Sequence, residues 1–222
     1  MRLSIIIPTF NEASSIEHTL LSLQTLRQLG HEVIIADGGS VDQTITLAVP
    51  LVDWVIHASK GRARQMNEGA QQASGDVLLF LHADTTLPKN AAELISNTII
   101  LKPWGRFNVR LSGQQWPLRM VEFMMNWRSR LSGIATGDQA IFVQRELFGQ
   151  IDGYADIPLM EDIDISKRLK HHSRPACITT ALLTSSRRWE NHGILNTILL
   201  MWRLRLAYFL GASPEQLVKH YQ

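Results

Sequence analysis

The chain reads as an α/β protein: a mostly parallel sheet flanked by helices, with a helical extension at its C-terminal end. Three observations carry this. Val77 to Leu81 is an unbroken apolar run, the pattern of a strand buried on both faces, and an acid, Asp84, follows it closely. Glu32 to Asp37 repeats the pattern, again ending in an acid. Between Leu3–Ile7, a third such run, and Glu32 lie Ile16, Leu20, Leu23 and Leu26, spaced by three and four as on one helix face. Strand, helix and strand at this spacing make a βαβ unit with a right-handed crossover.

In order, Leu3 to Ile7 is expected as a strand stopped by Pro8, with a polar turn to Glu12 and a helix to about Leu29 that Gly30 caps. Glu32 to Asp37 is the second strand, and the turn Asp37-Gly-Gly-Ser-Val-Asp42 leads into a short helix. Trp54 to His57 is a short third strand and Gly61 to Ala73 a helix. The central strand and Asp84 come next, then a helix that Pro88 opens and that runs to about Leu101. Phe107 to Leu111 alternates loosely, as an edge strand does, and Pro117 to Leu131 is an amphipathic helix rich in Met, Phe and Trp. Gly137 to Val143 is a turn entering a strand, Met160 to Leu169 a helix, and Cys177 to Leu183 a strand. Asn191 to Leu210 is expected as one long helix, with a last short one capped by Ser213-Pro214-Glu215. Residues 1–190 form one domain on this reading, a nucleotide-binding half (1–101) and an acceptor half (102–190), with 191–222 packed on it.

Composition narrows the classes. At 222 residues, 45% hydrophobic and 19% charged, the chain is long enough for an ordinary core. A formal charge of +2 lacks the basic excess of a nucleic-acid binder. The single Cys177 excludes an intrachain disulfide and fits a reducing compartment. Met1 to Phe10 is too short an apolar run for a secretion signal, and no stretch reaches the roughly twenty apolar residues a spanning helix needs. A cytoplasmic protein is expected.

Three acids, Glu12, Asp37 and Asp84, occupy turns after parallel strands, where ligands of such sheets bind. Carboxylates there can accept from ribose and base, and can reach a diphosphate through a hard divalent cation. Ordinary turn chemistry places Asp in the same positions, so spacing alone leaves both readings open.

Ser4-Ile-Ile-Ile-Pro-Thr-Phe-Asn-Glu12, Asp37-Gly-Gly-Ser-Val-Asp-Gln-Thr44, the Gly61–Gly69 segment, Leu81-His-Ala-Asp84 and Glu161-Asp162 follow one another in an order that resembles the family 2 nucleotide-sugar glycosyltransferases of the GT-A fold, a Rossmann-like sheet. The resemblance spans roughly residues 3–170. It implies an inverting transfer of a sugar from a UDP- or GDP-sugar to an acceptor hydroxyl, with Mn²⁺ or Mg²⁺ as cofactor. Pro8, Thr9, Glu12 and Asp37 would line the nucleotide pocket. Asp84 would be the metal-binding acid of the D-x-D motif, whose first Asp is replaced here by His82. Asp162 would be the general base, beside Glu161; complementing a helix dipole is the other reading of these two acids. The family's Arg before Asn67 is Met66 in this chain, which leaves Arg62 and Arg64 as phosphate donors or as a solvated basic face.

Asp138 lies in a segment that resembles the family's closure over donor and acceptor. Arg187-Arg188-Trp189 is similar to the signature of processive relatives, but Ser185 replaces its Gln, so processivity is not implied; Trp189 is taken as a donor-sugar or acceptor contact. His192 is a candidate for completing a metal shell, with an ordinary core or surface histidine as the alternative.

Met120, Phe123, Met124, Trp127 and Leu131 share one helix face near Arg119, Arg128 and Arg130, and Ile194, Ile198, Met201, Trp202, Leu206 and Phe209 share another near Arg203 and Arg205. Such stripes suit peripheral contact with an anionic membrane and a lipid-linked acceptor; core packing or a homodimer interface accounts for them equally. Two rivals remain at this level. A sugar nucleotidyltransferase would open with a Gly-rich loop, which Pro8 to Glu12 lacks, and a non-catalytic sugar-nucleotide binder would be indifferent to loss of Asp162.

Overall fold

A computed structural model describes residues 1–221, the side chain of His192 excepted. The first half holds β1 (Leu3–Thr9), α1 (Ile16–Ser22), α2 (Gln24–Gln28), β2 (Glu32–Asp37), α3 (Thr44–Ala48) and a 3-10 turn (Val49–Leu51). It continues with β3 (Trp54–His57), α4 (Arg62–Gln72), β4 (Val77–Phe80), a two-residue β5 (Thr85–Thr86) and α5 (Ala91–Ile99). The second half holds β6 (Trp104–Leu111), α6 (Trp116–Ser132), a 3-10 turn (Gly137–Gln139), β7 (Phe142–Gln144) and α7 (Arg145–Gln150). Then come α8 (Glu161–His172), β8 (Ala176–Thr184), α9 (Arg187–His192), α10 (Ile194–Phe209) and α11 (Pro214–Val218).

Alternation decides the layers. Leu3, Ile5, Ile7, Val33, Ile35, Val77 and Leu79 enter one buried cluster, while Ile6, Ile34, Leu78 and Phe80 enter the other. Both faces of β1, β2 and β4 are therefore covered, which is why their sequences are continuous apolar runs. The strands lie in the order β3-β2-β1-β4-β7-β6-β8-β5. All but β7 and β5 run the same way, so the sheet is mixed but mostly parallel, as expected.

Three local expectations need correction. Pro8 does not stop β1; it pairs with Ala36 inside the strand. Ile6 accepts from Leu81 N, so even-numbered residues of β1 turn their peptides toward β4, whose ladder ends at Ile6↔Phe80. The amide that Pro8 lacks would have had no strand to bond. The first helix is two, because Leu23 N bonds back to Leu20 O at 3.1 Å in a tight turn. Pro88 precedes α5 rather than opening it, its carbonyl accepting from Ala91 N at 2.9 Å.

The largest revision concerns β6, which is an interior strand between β7 and β8 rather than an edge. Arg106 breaks its apolar pattern in sequence, yet that side chain is fully buried, donating to Asn108 Oδ1 and to Asn126 O on α6.

The long C-terminal helix is also interrupted. Gly193, at φ +78°, separates α9 from α10, a backbone angle that side-chain-bearing residues resist. Leu204 of α10 and Leu217 of α11 pack with Met160 and Ile163, so the C-terminal helices rest on the start of α8.

Candidate functional site

The carboxyl ends of β1 and β2 form the first wall. Asp37 is 2% exposed, and its carboxylate accepts from Thr9 Oγ1 (3.1 Å), Ser40 Oγ (2.5 Å), Gly39 N (2.9 Å) and Ser40 N (2.8 Å). Those bonds fix the Gly38-Gly39-Ser40 turn, and neither Asp37 nor Thr9 reaches the open cleft described below. Gln65, a buried amide of α4, donates to both Thr9 O and Ala36 O at 2.7 and 2.8 Å and ties the two strand ends together. Nothing in its sequence context singled it out.

Beyond β4 the chain turns through His82 and Asp84. Arg187, on α9, bridges Glu12 Oε2 at 3.4 Å and Asp84 Oδ2 at 3.7 Å and donates to Ser14 Oγ at 2.8 Å. Acids from two strand ends thereby meet one guanidinium from the far end of the chain. His82 Nδ1 contacts Asp138 Oδ1 at 3.1 Å. A Cβ at Gly137 would come within 2.5 Å of His82 Nε2, so only glycine allows the 3-10 turn to close over that ring.

The start of α8 lies against the Gly137–Gln139 turn. Met160 holds a left-handed conformation, φ +71°, just before Glu161 and Asp162, a costly geometry of the kind that collects at ligand sites. Asp162 Oδ2 accepts from Gly137 N at 3.2 Å and its Oδ1 from Ile163 N at 2.7 Å, which locks the carboxylate against the 3-10 turn. Glu161 is buried and lies 3.9 Å from Arg62. Burial, then the neighbouring Asp162 charge, raise Glu161 above the usual carboxylate range despite Arg62. At Asp138 burial works in the same direction, but the hydrogen bond and charge of His82, with Arg62 and Arg205, outweigh it and hold the acid low.

Pro8, Glu12, Arg62, His82, Asp84, Asp138 and Trp189 all line one cleft of about 730 Å³, together with α6, α10 and Tyr221. Asp162 and Glu161 line a small adjoining pocket that shares Pro8, Arg62 and His82 with the cleft, and Met66 and Tyr154 close it. Arg64 does not join; it pairs with Asp156 at 2.7 Å on the exposed side of α4. His192 lies outside the described side chains. Among the described residues no three His, Cys, Asp or Glu side chains are gathered into a ready-made metal cage. Asp84 nevertheless suits Mg²⁺ or Mn²⁺, which are commonly held by one or two carboxylates with substrate phosphates and water supplying the rest. His82 is already engaged by Asp138.

Known proteins resemble the chain in one sequence segment and in fold. Residues 4–100 match the glycosyl transferase family 2 model. The poly-beta-1,6-N-acetyl-D-glucosamine synthase of Staphylococcus aureus (strain COL) is 30% identical over 95 residues, 40% of this chain and 23% of that one, so the match spans about a quarter of that curated relative. Among solved structures, S. aureus TarS 1–349 in complex with UDP-GlcNAc superposes with a TM-score of 0.65 at 20% identity, covering 83% of this chain and 58% of the other. The mannosyltransferase PcManGT of Pyrobaculum calidifontis, in complex with GDP-Man and Mn²⁺, gives 0.63 at 21% identity, covering 93% and 61%. Over residues 4–100, under half of its length, the chain is thus similar to glycosyl transferase family 2, and its fold is that of these solved structures.

Proposed function

We propose that the protein is a metal-dependent inverting glycosyltransferase that moves a sugar from a nucleoside diphosphate sugar to an acceptor hydroxyl. One observation carries this reading. Acids from the carboxyl ends of the parallel strands, Glu12 and Asp84, line a single cleft whose adjoining pocket holds Asp162 against the Gly137 turn.

The nucleotide lies at the Asp37 turn in this reading, where Thr9, Gly39 and Ser40 are pre-set by the buried carboxylate. A divalent ion held by Asp84, when bound, supplies a Lewis acid that offsets charge growing on the departing diphosphate. Arg187, which bridges Glu12 and Asp84, is freed when the site fills, and its forked donors then suit the diphosphate. Asp162 receives the proton of the attacking hydroxyl, and the Gly137 and Ile163 amides fix the direction in which its carboxylate faces. A single displacement inverts the anomeric centre. UDP and GDP are the donors to try first, by likeness to the nucleotides held by the solved relatives. The acceptor side is lined by Met120, Met124, Trp127, Met201 and Trp202, which suits an acceptor attached to a lipid and a protein resting on a membrane surface.

Thermal melts with UDP, GDP and their sugars, with and without Mn²⁺, test the donor half. A ligand of the folded state raises the melting temperature by linkage, so one base with Mn²⁺ should raise it and Asp84→Asn should lose the metal-dependent part. No shift with any nucleotide would refute the reading.

A further inference from the structure

Of the cleft's arginines, which the transfer mechanism does not use, Arg62 pairs with Glu161 and Arg188 stacks on Tyr221, which leaves two cations. Arg128 on α6 and Arg205 on α10 face the cleft from neighbouring helices. Among the described residues, Arg128 Nε and Nη2 and Arg205 Nε are buried without any hydrogen-bond partner. Only Arg128 Nη1 finds a weak acceptor, Ile134 O at 3.4 Å. Buried guanidinium donors are rarely left unmade, because each forfeits its hydration with nothing in return. The two are also close enough to repel. Arg128 is lowered to about 10, by burial first and then by the charge of Arg205, with Asp162 opposing. Folding has thus held two like charges together beside the proposed base, and an oxyanion is the group that would satisfy both.

The surroundings say what that oxyanion is attached to. Outward from the pair the cleft is lined by Met120, Met124, Trp127, Leu131, Met201 and Trp202. On the same two helices Phe123, Leu199, Leu206 and Phe209 are more than half exposed, at 65%, 65%, 59% and 81%. Glu122 is the only acid on either helix, and it is already paired with Arg119 at 2.9 Å. A second copy brought face to face would set arginines against arginines, whereas an amphiphile with an anionic head matches both the charge and the apolar rim.

We infer that Arg128 and Arg205 form an acceptor subsite for the phosphate of an amphiphilic phosphate ester, whose hydrocarbon lies in the groove between α6 and α10. This rests on the transferase reading for the meaning of "acceptor" and adds to it the chemical class. The fork of each guanidinium matches two phosphate oxygens. The pair belongs to helices of the second half, its acidic neighbours are Asp162 and Asp138, and the Asp37 turn of the nucleotide end contributes nothing to it.

Titration of the full chain with decyl phosphate below its micelle concentration, inorganic phosphate and neutral decyl maltoside, followed by calorimetry, tests this. Decyl phosphate should bind at least ten-fold more tightly than either other probe. Arg128→Gln and Arg205→Gln should each weaken it by about ten-fold or more, as loss of a charge-assisted contact does, while Arg128→Lys retains part of it. UDP or GDP binding with Mn²⁺, measured on the same variants, should stay within two-fold and reports that they are folded. Equal binding of decyl phosphate to wild type and both Gln variants would overturn the inference, as would inorganic phosphate or decyl maltoside binding as tightly. A matching loss of nucleotide affinity would also overturn it, by assigning the pair to the donor. Loss of nucleotide binding by the wild type itself would instead strike the transferase reading.

Discussion

Glu161 shows how individual side chains are held under tension here. Its folded-state value lies above 4.5, the ordinary one, so between the two the folded protein holds a proton that the unfolded chain has shed. Stability from this group therefore falls as pH rises through that window and stays reduced above it. Glu161→Gln should melt a few degrees higher than wild type at pH 7 and at the same temperature near pH 4. An unchanged difference across that range would contradict the assignment. Asp138 has the opposite sign: held low, it stabilises the folded state above its ordinary value and loses that contribution as pH falls through the folded one. Arg187 is a different case, its side chain half exposed and its two ion pairs at 3.4 and 3.7 Å. Arg187→Ala should change stability by less than about 0.5 kcal/mol, because exposed pairs contribute little, and should weaken nucleotide binding instead. A large stability loss in chemical denaturation would show that the bridge is structural.

At the level of helices and strands, how much could be read in advance depended on whether the burial partner lies in the same segment. β1, β2 and β4 were legible because both their faces are covered, leaving runs without polar interruption. β6 was read as an edge because Asn108 and Arg110 alternate with its apolar residues over 107–111; its true start reaches back past Arg106, and the partner that makes Arg106 tolerable, Asn126 O, lies on α6. On α6 itself the conspicuous stripe of Met120, Phe123, Met124, Trp127 and Leu131 is 43–65% exposed, while Leu118, Val121 and Met125 face the core. Apolar spacing marks a face without saying what covers it. Phe123→Ser should accordingly leave the melting temperature within about two degrees of wild type, whereas Val121→Ala, by opening a cavity, should lower stability by about 1 kcal/mol or more. The reverse order in denaturant titrations would contradict the facing of this helix.

Taken as one body, the protein joins residues far apart in sequence at one end of its sheet. The acids Glu12, Asp84 and Asp162 were recognisable individually, from strand ends and motif order. The joining of Glu12 and Asp84 through Arg187, and the unmade donors of Arg128 and Arg205, were not, because these contacts depend on helix placement after the sheet has formed. The sheet is the support on which this depends. Leu79→Ala at the centre of β4, fully buried, should cost about 2–5 kcal/mol and depress nucleotide binding through unfolding alone. The apparent affinity should recover on cooling; failure to recover would mean that the site has a distinct dependence on this strand.

The most direct measurement is release of nucleoside diphosphate from a UDP- or GDP-sugar with Mn²⁺, using decyl phosphate and a hydroxyl-bearing analogue of it as trial acceptors, for wild type and Asp162→Asn. The expected result is a drop in turnover of about 10²–10⁴-fold in the variant, with nucleotide binding unchanged. Equal turnover by the two proteins would contradict the role given to Asp162, and with it the mechanism built on that cleft.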